Sequence, residues 1–216
     1  MNPADPHVVA ALAADDESTR LEAALALGST PQPGLVDILI ARCAIEPDFY
    51  VRDMLTWALT RLPPEITVPR LVAELRSQGA QARSQALHTL SKIKDRSAFP
   101  AITRALLRDP DDDVARSAWR AAVVLVPDGQ KRELAEELGA QLGRGDRDVQ
   151  LSLSRALVAL GGDVVESVLR TAMSSVAPGV RAHASATERL LRDPDGGSDL
   201  AVHEARRQVA LRDRPA

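Results

Sequence analysis

The sequence predicts an all-α fold, a right-handed α-solenoid of about six helical hairpins closed by a C-terminal capping helix. Three observations carry this expectation. Alanine and leucine, 35 and 28 residues, make up about 29% of the 216-residue chain, and both favour helix. Only five residues are aromatic (Phe49, Tyr50, Trp57, Phe99 and Trp119), a poor supply of one of the residue classes that strands prefer. A short pattern also returns every 31 to 34 residues, which is the mark of a repeat architecture.

The recurring anchor is a small or apolar residue followed by arginine, then an Ala/Leu-rich stretch. Its instances are Thr19-Arg20, Val51-Arg52, Ala82-Arg83, Ala115-Arg116, Val149-Gln150 and Val180-Arg181. Upstream of each anchor lies a second amphipathic stretch, such as VPRLVAEL at 68–75 and FPAITRALL at 99–107. Pro69 and Pro100, 31 residues apart, are expected in the first turn of those helices, where a missing N–H costs nothing. Each unit therefore reads as helix A, a short loop, helix B and a turn. The units fall at 6–30, 33–62, 65–94, 97–127, 129–161 and 162–192, with the cap at 198–212 and one domain over 1–216. A lone hairpin cannot bury its apolar stripe, so the units must stack.

Composition narrows the function classes. The chain carries 27 Lys+Arg against 30 Asp+Glu, a formal charge of −3, which does not make the basic stripe that nucleic acid requires. The apolar runs, such as 8–14 and 121–126, are far short of the roughly 20 residues of a membrane span. The opening residues MNPADPHVVAALAADDE are acidic and lack the basic start of a secretory signal. The single cysteine, Cys43, cannot form an internal disulfide and suits a reducing cytoplasm; on the apolar helix LVDILIARC it is expected to be buried and inert.

The segments EPDFYVRDMLTWALTRL, DPDDDVARSAWRAAVVL and GDRDVQLSLSRALVALG resemble HEAT repeats, in particular the short bacterial kind found in phycobilisome lyases. The resemblance covers about nine-tenths of the chain and implies a helical solenoid whose B helices line the concave surface. It implies little about activity, because such repeats serve adaptors, lyase subunits, a hydroxylase and DNA-repair enzymes. Two departures stand out. Gln150 replaces the anchor arginine of the fifth repeat, and the third has the neutral loop SQGA where others are acidic.

Numbering the anchor as position 0 and advancing 100° per residue places positions −1, 3, 6, 7 and 10 on a core arc. Positions 1, 4, 5 and 8 then point outward. Trp119, at position 3, is expected to fill the core. Trp57, at position 5, faces outward one turn beyond Asp53. It either packs on a neighbouring repeat with its edge exposed or anchors a partner, tryptophan and tyrosine being enriched at such hot spots. The anchor arginines, beside acids such as Asp15 to Glu17, Glu46, Asp48, Asp109, Asp111 to Asp113, Asp146 and Asp148, are expected to form a ladder tying successive repeats together.

No catalytic motif is well formed. His203-Glu204 resembles the His-Glu dyads of HEAT-like deoxyhypusine hydroxylase, which needs several such dyads; His7, His88 and His183 have no adjacent acid. Residues 193–204 place Asp193, Asp195, Asp199 and Glu204 at EF-hand positions, but Gly197 and Ser198 break the pattern, and a glycine hinge with a serine N-cap explains the segment without calcium. HEAT-like alkylpurine glycosylases use tryptophans and an aspartate, which invites comparison with Asp53, Trp57 and Arg120, although nothing else matches.

The sequence therefore points to a non-catalytic adaptor that binds a segment of another protein across its helix-B face, without cofactor or metal. The expected contact residues are Tyr50, Asp53, Trp57, Leu87, His88, Arg120 and Arg155. A DNA-repair glycosylase or a lyase-like protein handling a chromophore is the alternative.

Overall fold

A computed structural model describes residues 6–193, and every regular element among them is helical. The chain divides between Asp128 and Gly129 into two compact units. The first holds α1 (Pro6–Ala11), α2 (Glu17–Ser29), α3 (Val36–Ile45), α4 (Phe49–Thr60), α5 (Pro64–Glu74), α6 (Ala80–Ile93), α7 (Arg104–Leu107) and α8 (Asp112–Leu125). The second holds α9 (Lys131–Gly139), α10 (Arg147–Leu160), α11 (Gly162–Met173) and α12 (Pro178–Arg192). Residues 194–216 lie outside the described residues, and with them most of 193–204, the His203-Glu204 pair and the expected cap at 198–212.

Four B helices start the same way. Asp16, Asp48, Asp111 and Asp146 are the N-caps of α2, α4, α8 and α10, each accepting the backbone N–H three residues on. Such a cap satisfies a donor the helix cannot satisfy itself, and losing one costs about 1 kcal/mol. The exceptions are α6, whose N-cap is Gly79 in the neutral SQGA loop, and α12, whose N-cap is Ala177; neither has a side chain that can cap.

The prolines correct the sequence reading. Helix α5 begins at Pro64, so Pro69 sits in its interior rather than its first turn. Pro69 has no N–H to give, which leaves the Glu65 carbonyl without its intrahelical donor. Pro100 lies inside a 3₁₀ turn, Arg96–Ala101. The chain then leaves the helical region at Ile102 and restarts under the Thr103 cap, so helix A of the fourth repeat is a 3₁₀ turn followed by one α-turn.

In the first unit α2 packs on α4, α4 on α6 and α6 on α8, while α3 and α5 cover the other side of α6. Leu55, Leu59, Leu71, Leu90 and Leu125 are fully buried between these layers. Trp119 is enclosed as expected, and its Nε1–H donates to the Leu107 carbonyl at 2.8 Å, an acceptor left over at the end of α7. Cys43 is also buried, and burial pushes its thiol up to about 12.

The anchor arginines do more than face acids. Arg20 donates to the carbonyls of Ala14 and Asp15, Arg52 to Glu46 and Pro47, Arg83 to Ser77 and Gln78, and Arg181 to Ser175 and Val176. Each of these four arginines thus clamps the carbonyls five and six residues before it, fixing the loop that leads into its own helix; Arg116 of α8 instead faces Asp113 at 3.7 Å. Gln150, with a shorter reach, keeps one such bond, to Gly145. Two arginines also span to the next repeat: Arg20 pairs with Glu46 at 2.9 Å and Arg83 with Asp109 at 3.1 Å, each 26 residues on. The same step from Arg52 lands on Gln78 in the neutral loop.

In the second unit α10 packs on α12, and α11 on α9 and α12. His183 joins them from a buried position. Its Nδ1 accepts the Gly143 N–H at 2.9 Å, so Nε2 carries the proton and donates to the Gln150 carbonyl at 2.9 Å. Burial holds this imidazole below the usual histidine range, partly opposed by the bond to Gln150. Below pH 6.5 the unfolded chain therefore takes up a proton that the folded chain resists, and stability falls with pH by up to about 1.4 kcal/mol per unit. The melting temperature is expected to drop between pH 7.5 and pH 5.5, and His183→Asn to flatten that slope; an unchanged slope in the variant would remove His183 as its source.

Candidate functional site

The N-terminal parts of α4, α6 and α8 run side by side in the first unit, and an open groove of about 410 Å³ lies over them. Helix α4 contributes Phe49, Arg52, Asp53 and Thr56, and α6 contributes Ala80, Gln81, Ser84, Gln85 and His88. Asp111, Asp113, Ser117 and Arg120 line it from α8 and its cap. The room follows from the sequence: SQGA puts Gly79 and the small Ala80 where the flanking α4 and α8 begin with an aspartate and a larger residue.

The floor is a hydroxyl and amide surface. Ser84 and Ser117 share a hydrogen bond at 2.9 Å between α6 and α8. The Gln81 side-chain amide donates both of its N–H groups, to the carbonyls of Cys43 and Glu46. Arg52 is tied to its two loop carbonyls at 2.9 and 2.6 Å. Arg120 lies along its own helix, donating to the Arg116 carbonyl and to Ser117 Oγ. Partial desolvation of its guanidinium, with Arg116 beside it, makes it a weaker base than usual. His88 is half-buried, and burial together with the charges of Arg120 and Lys92 holds its imidazole below the usual range, against the pull of Asp53. It is neutral at neutral pH.

Of the residues expected from sequence, the groove brings together Asp53, His88 and Arg120. Tyr50 stands beside the groove, 69% exposed, its ring edge-on to Phe49 with centroids 5.5 Å apart. Trp57 is half-buried and lies outside the groove lining. Its ring rests against Gly28 of α2, where an added Cβ would run into the indole, and the Arg61 guanidinium covers it 5.9 Å from the centroid. Arg155 is exposed on α10, in the second unit.

Leu87 is a correction. It was expected on the outward arc, yet it is 0% exposed. A single-helix projection allows one buried stripe, whereas α6 is packed against α3, α4, α5 and α8 and buries most of its circumference. The same position is buried in other B helices, at Ala24, Thr56 and Ser154. In α8 the same position is Arg120, charged and exposed, so the position along the helix does not by itself mark burial.

The projection places Thr56, Ser84 and Ser117 on the outward arc without marking them as contacts, and it passes over Phe49 and Gln85. Phe49 precedes the anchor, and the others become visible only when neighbouring B helices are set side by side. Among the described residues, no group of three His, Cys, Asp or Glu side chains is placed to hold a metal ion, and no helix is long and apolar enough to cross a membrane.

Residues 43–124 match the family model for HEAT repeats. No curated protein matches the chain. Solved structures that match the chain include an engineered protein from a structural genomics consortium, 23% identical over 88% of this chain and 96% of that one, at a TM-score of 0.48. They also include the CpcE–CpcF complex of phycocyanin lyase from Nostoc sp. PCC7120, 21% identical over 88% of this chain and 80% of that one, at a TM-score of 0.49. The matched stretch, which is similar to HEAT repeats, runs from the end of α3 to α8 and carries the groove.

Proposed function

We propose that this protein is a non-catalytic adaptor that binds an extended or helical segment of another protein in the α4–α6–α8 groove. The observation that carries the reading is the lining itself: an exposed aromatic pair, Phe49 and Tyr50, beside a hydroxyl- and amide-rich floor with Asp53 and Arg120 as charged ends. Aromatic area gives affinity at low entropic cost, and charges of both signs fix register and exclude wrong partners. Three carboxylates (Asp53, Asp111, Asp113) stand against two guanidiniums (Arg52, Arg120) in the lining, a balance that favours a polypeptide over a phosphate backbone. The free buried thiol of Cys43 is in keeping with a reducing, cytoplasmic setting.

Photo-crosslinking in cells tests this. With p-benzoyl-phenylalanine in place of Phe49, a discrete adduct is expected, and the groove-filling change Ala80→Trp should abolish it while leaving the melt intact. The same probe in place of the exposed Val176 of the second unit should give none. Adducts of equal pattern from both positions, or an adduct indifferent to Ala80→Trp, would end the reading.

A further inference from the structure

We infer that the groove is selective for a lysine of the bound segment, whose ammonium is received by Asp53, Thr56 and Gln85. This rests on the groove being a peptide site, as proposed above. Thr56 lines the groove, is 3% exposed, and its Oγ1 has no hydrogen-bond partner. A buried hydroxyl without a partner costs stability, so its retention at a binding surface points to a ligand group. Asp53 is exposed on the preceding turn of α4, three residues earlier and so on the same face, and its carboxylate forms no hydrogen bond or ion pair. The Gln85 side chain likewise has no hydrogen bond.

The second unit shows what this register normally brings together. There the Ser154 hydroxyl meets His183 Nε2, 29 residues later, at 3.1 Å, and the Thr187 hydroxyl, 33 residues later, at 2.8 Å. The same steps from Thr56 lead to Gln85 and Thr89. Thr89 instead turns its hydroxyl back to the Gln85 carbonyl at 2.8 Å. What the second unit closes internally with an imidazole, the first leaves open to the groove.

The chemistry of the three groups selects the ligand. An ammonium has three N–H donors and no acceptor, and here it meets one carboxylate and two neutral oxygens set on two helices. A carboxylate would be repelled by Asp53. A guanidinium is a rigid planar fork suited to paired coplanar oxygens, whereas a lysine stem is thin and flexible enough to reach a hydroxyl this deep. The exposed Phe49 gives its methylenes an apolar surface to lie along. The basic groups of the lining do not block the site: His88 is neutral, Arg52 is tied to its two loop carbonyls, and Arg120 is held on its own helix.

Selection of a random dodecapeptide library on the full chain, with elution by binding to Ala80→Trp as the counter-screen, tests the inference. Groove-dependent peptides are expected to share a lysine. Replacing it with norleucine or arginine should weaken binding about tenfold or more, and Asp53→Asn should weaken the lysine peptide equally, with no further loss when the two changes are combined. Thr56→Val and Gln85→Ala should each cost a few-fold. Groove-dependent peptides that tolerate norleucine or arginine would overturn the lysine site and leave the peptide groove standing. No groove-dependent peptide at all would overturn both.

Discussion

Replacing Glu46 with alanine is expected to cost the protein about 3–5 kcal/mol, enough to consume much of the stability of a small domain. Its carboxylate is 0% exposed and accepts from Arg20 Nε and Nη2 at 2.9 Å each, from Arg42 Nε at 2.9 Å and from the Asp48 N–H at 3.0 Å. Its removal leaves two guanidiniums facing each other at the junction of the first and second repeats. Urea denaturation measures the loss, and an unchanged midpoint would show that the arginine clamp on the loop carbonyls holds the junction unaided. Burial alone would raise the Glu46 pKa, but the bonds from Arg20, Asp48 and Arg42 prevail and bring it from 4.5 to about 2. The folded state thus stays ionised where the unfolded state is already protonated. This stabilisation is complete above pH 4.5 and is lost as the pH falls towards 2, about 3 kcal/mol in all. Glu46→Gln should erase that part of the acid profile.

The sequence carried the repeat and its caps plainly, because both depend on local spacing. An aspartate three residues before an apolar anchor is a helix start wherever it occurs, and Asp48-Phe49-Tyr50-Val51 needs no tertiary information to be read so. The site was less legible because it belongs to no single helix. Asp53, His88 and Arg120 could be picked as outward-facing residues, but which of them share a surface depends on how far each B helix is rotated against the next. Thr56 and Leu87 show the limit: both occupy the same projected position, and lateral packing buries both, one as core and one as the floor of a groove. The neutral SQGA loop was visible as an irregularity, but only packing shows that it removes a cap and makes room beside Ala80. The loop-carbonyl clamp was hidden for a related reason, since arginine beside acids reads first as an ion pair.

Trp119→Ala should be among the most damaging single substitutions in the chain, about 4–5 kcal/mol, because it opens a large cavity and strands the Leu107 carbonyl that the indole N–H satisfies. Trp119→Phe keeps most of the ring and loses the hydrogen bond, for about 1–2 kcal/mol. Trp57→Ala, by contrast, removes a half-buried ring that rests on Gly28 under Arg61, and about 1–2 kcal/mol is expected. Denaturation of the three variants side by side would check the ordering; equal losses at Trp57 and Trp119 would mean that the α2–α4 contact encloses its indole as fully as the core does. The ordering matters for function as well. Trp57 lies outside the groove lining but on the helix that carries Asp53 and Thr56, so its removal can loosen α4 and weaken binding without any contact to the ligand. A loss of binding in Trp57→Ala that is recovered at lower temperature, where the folded population is restored, would mark it as support for α4, whereas a temperature-independent loss would bring the indole into the recognition surface itself.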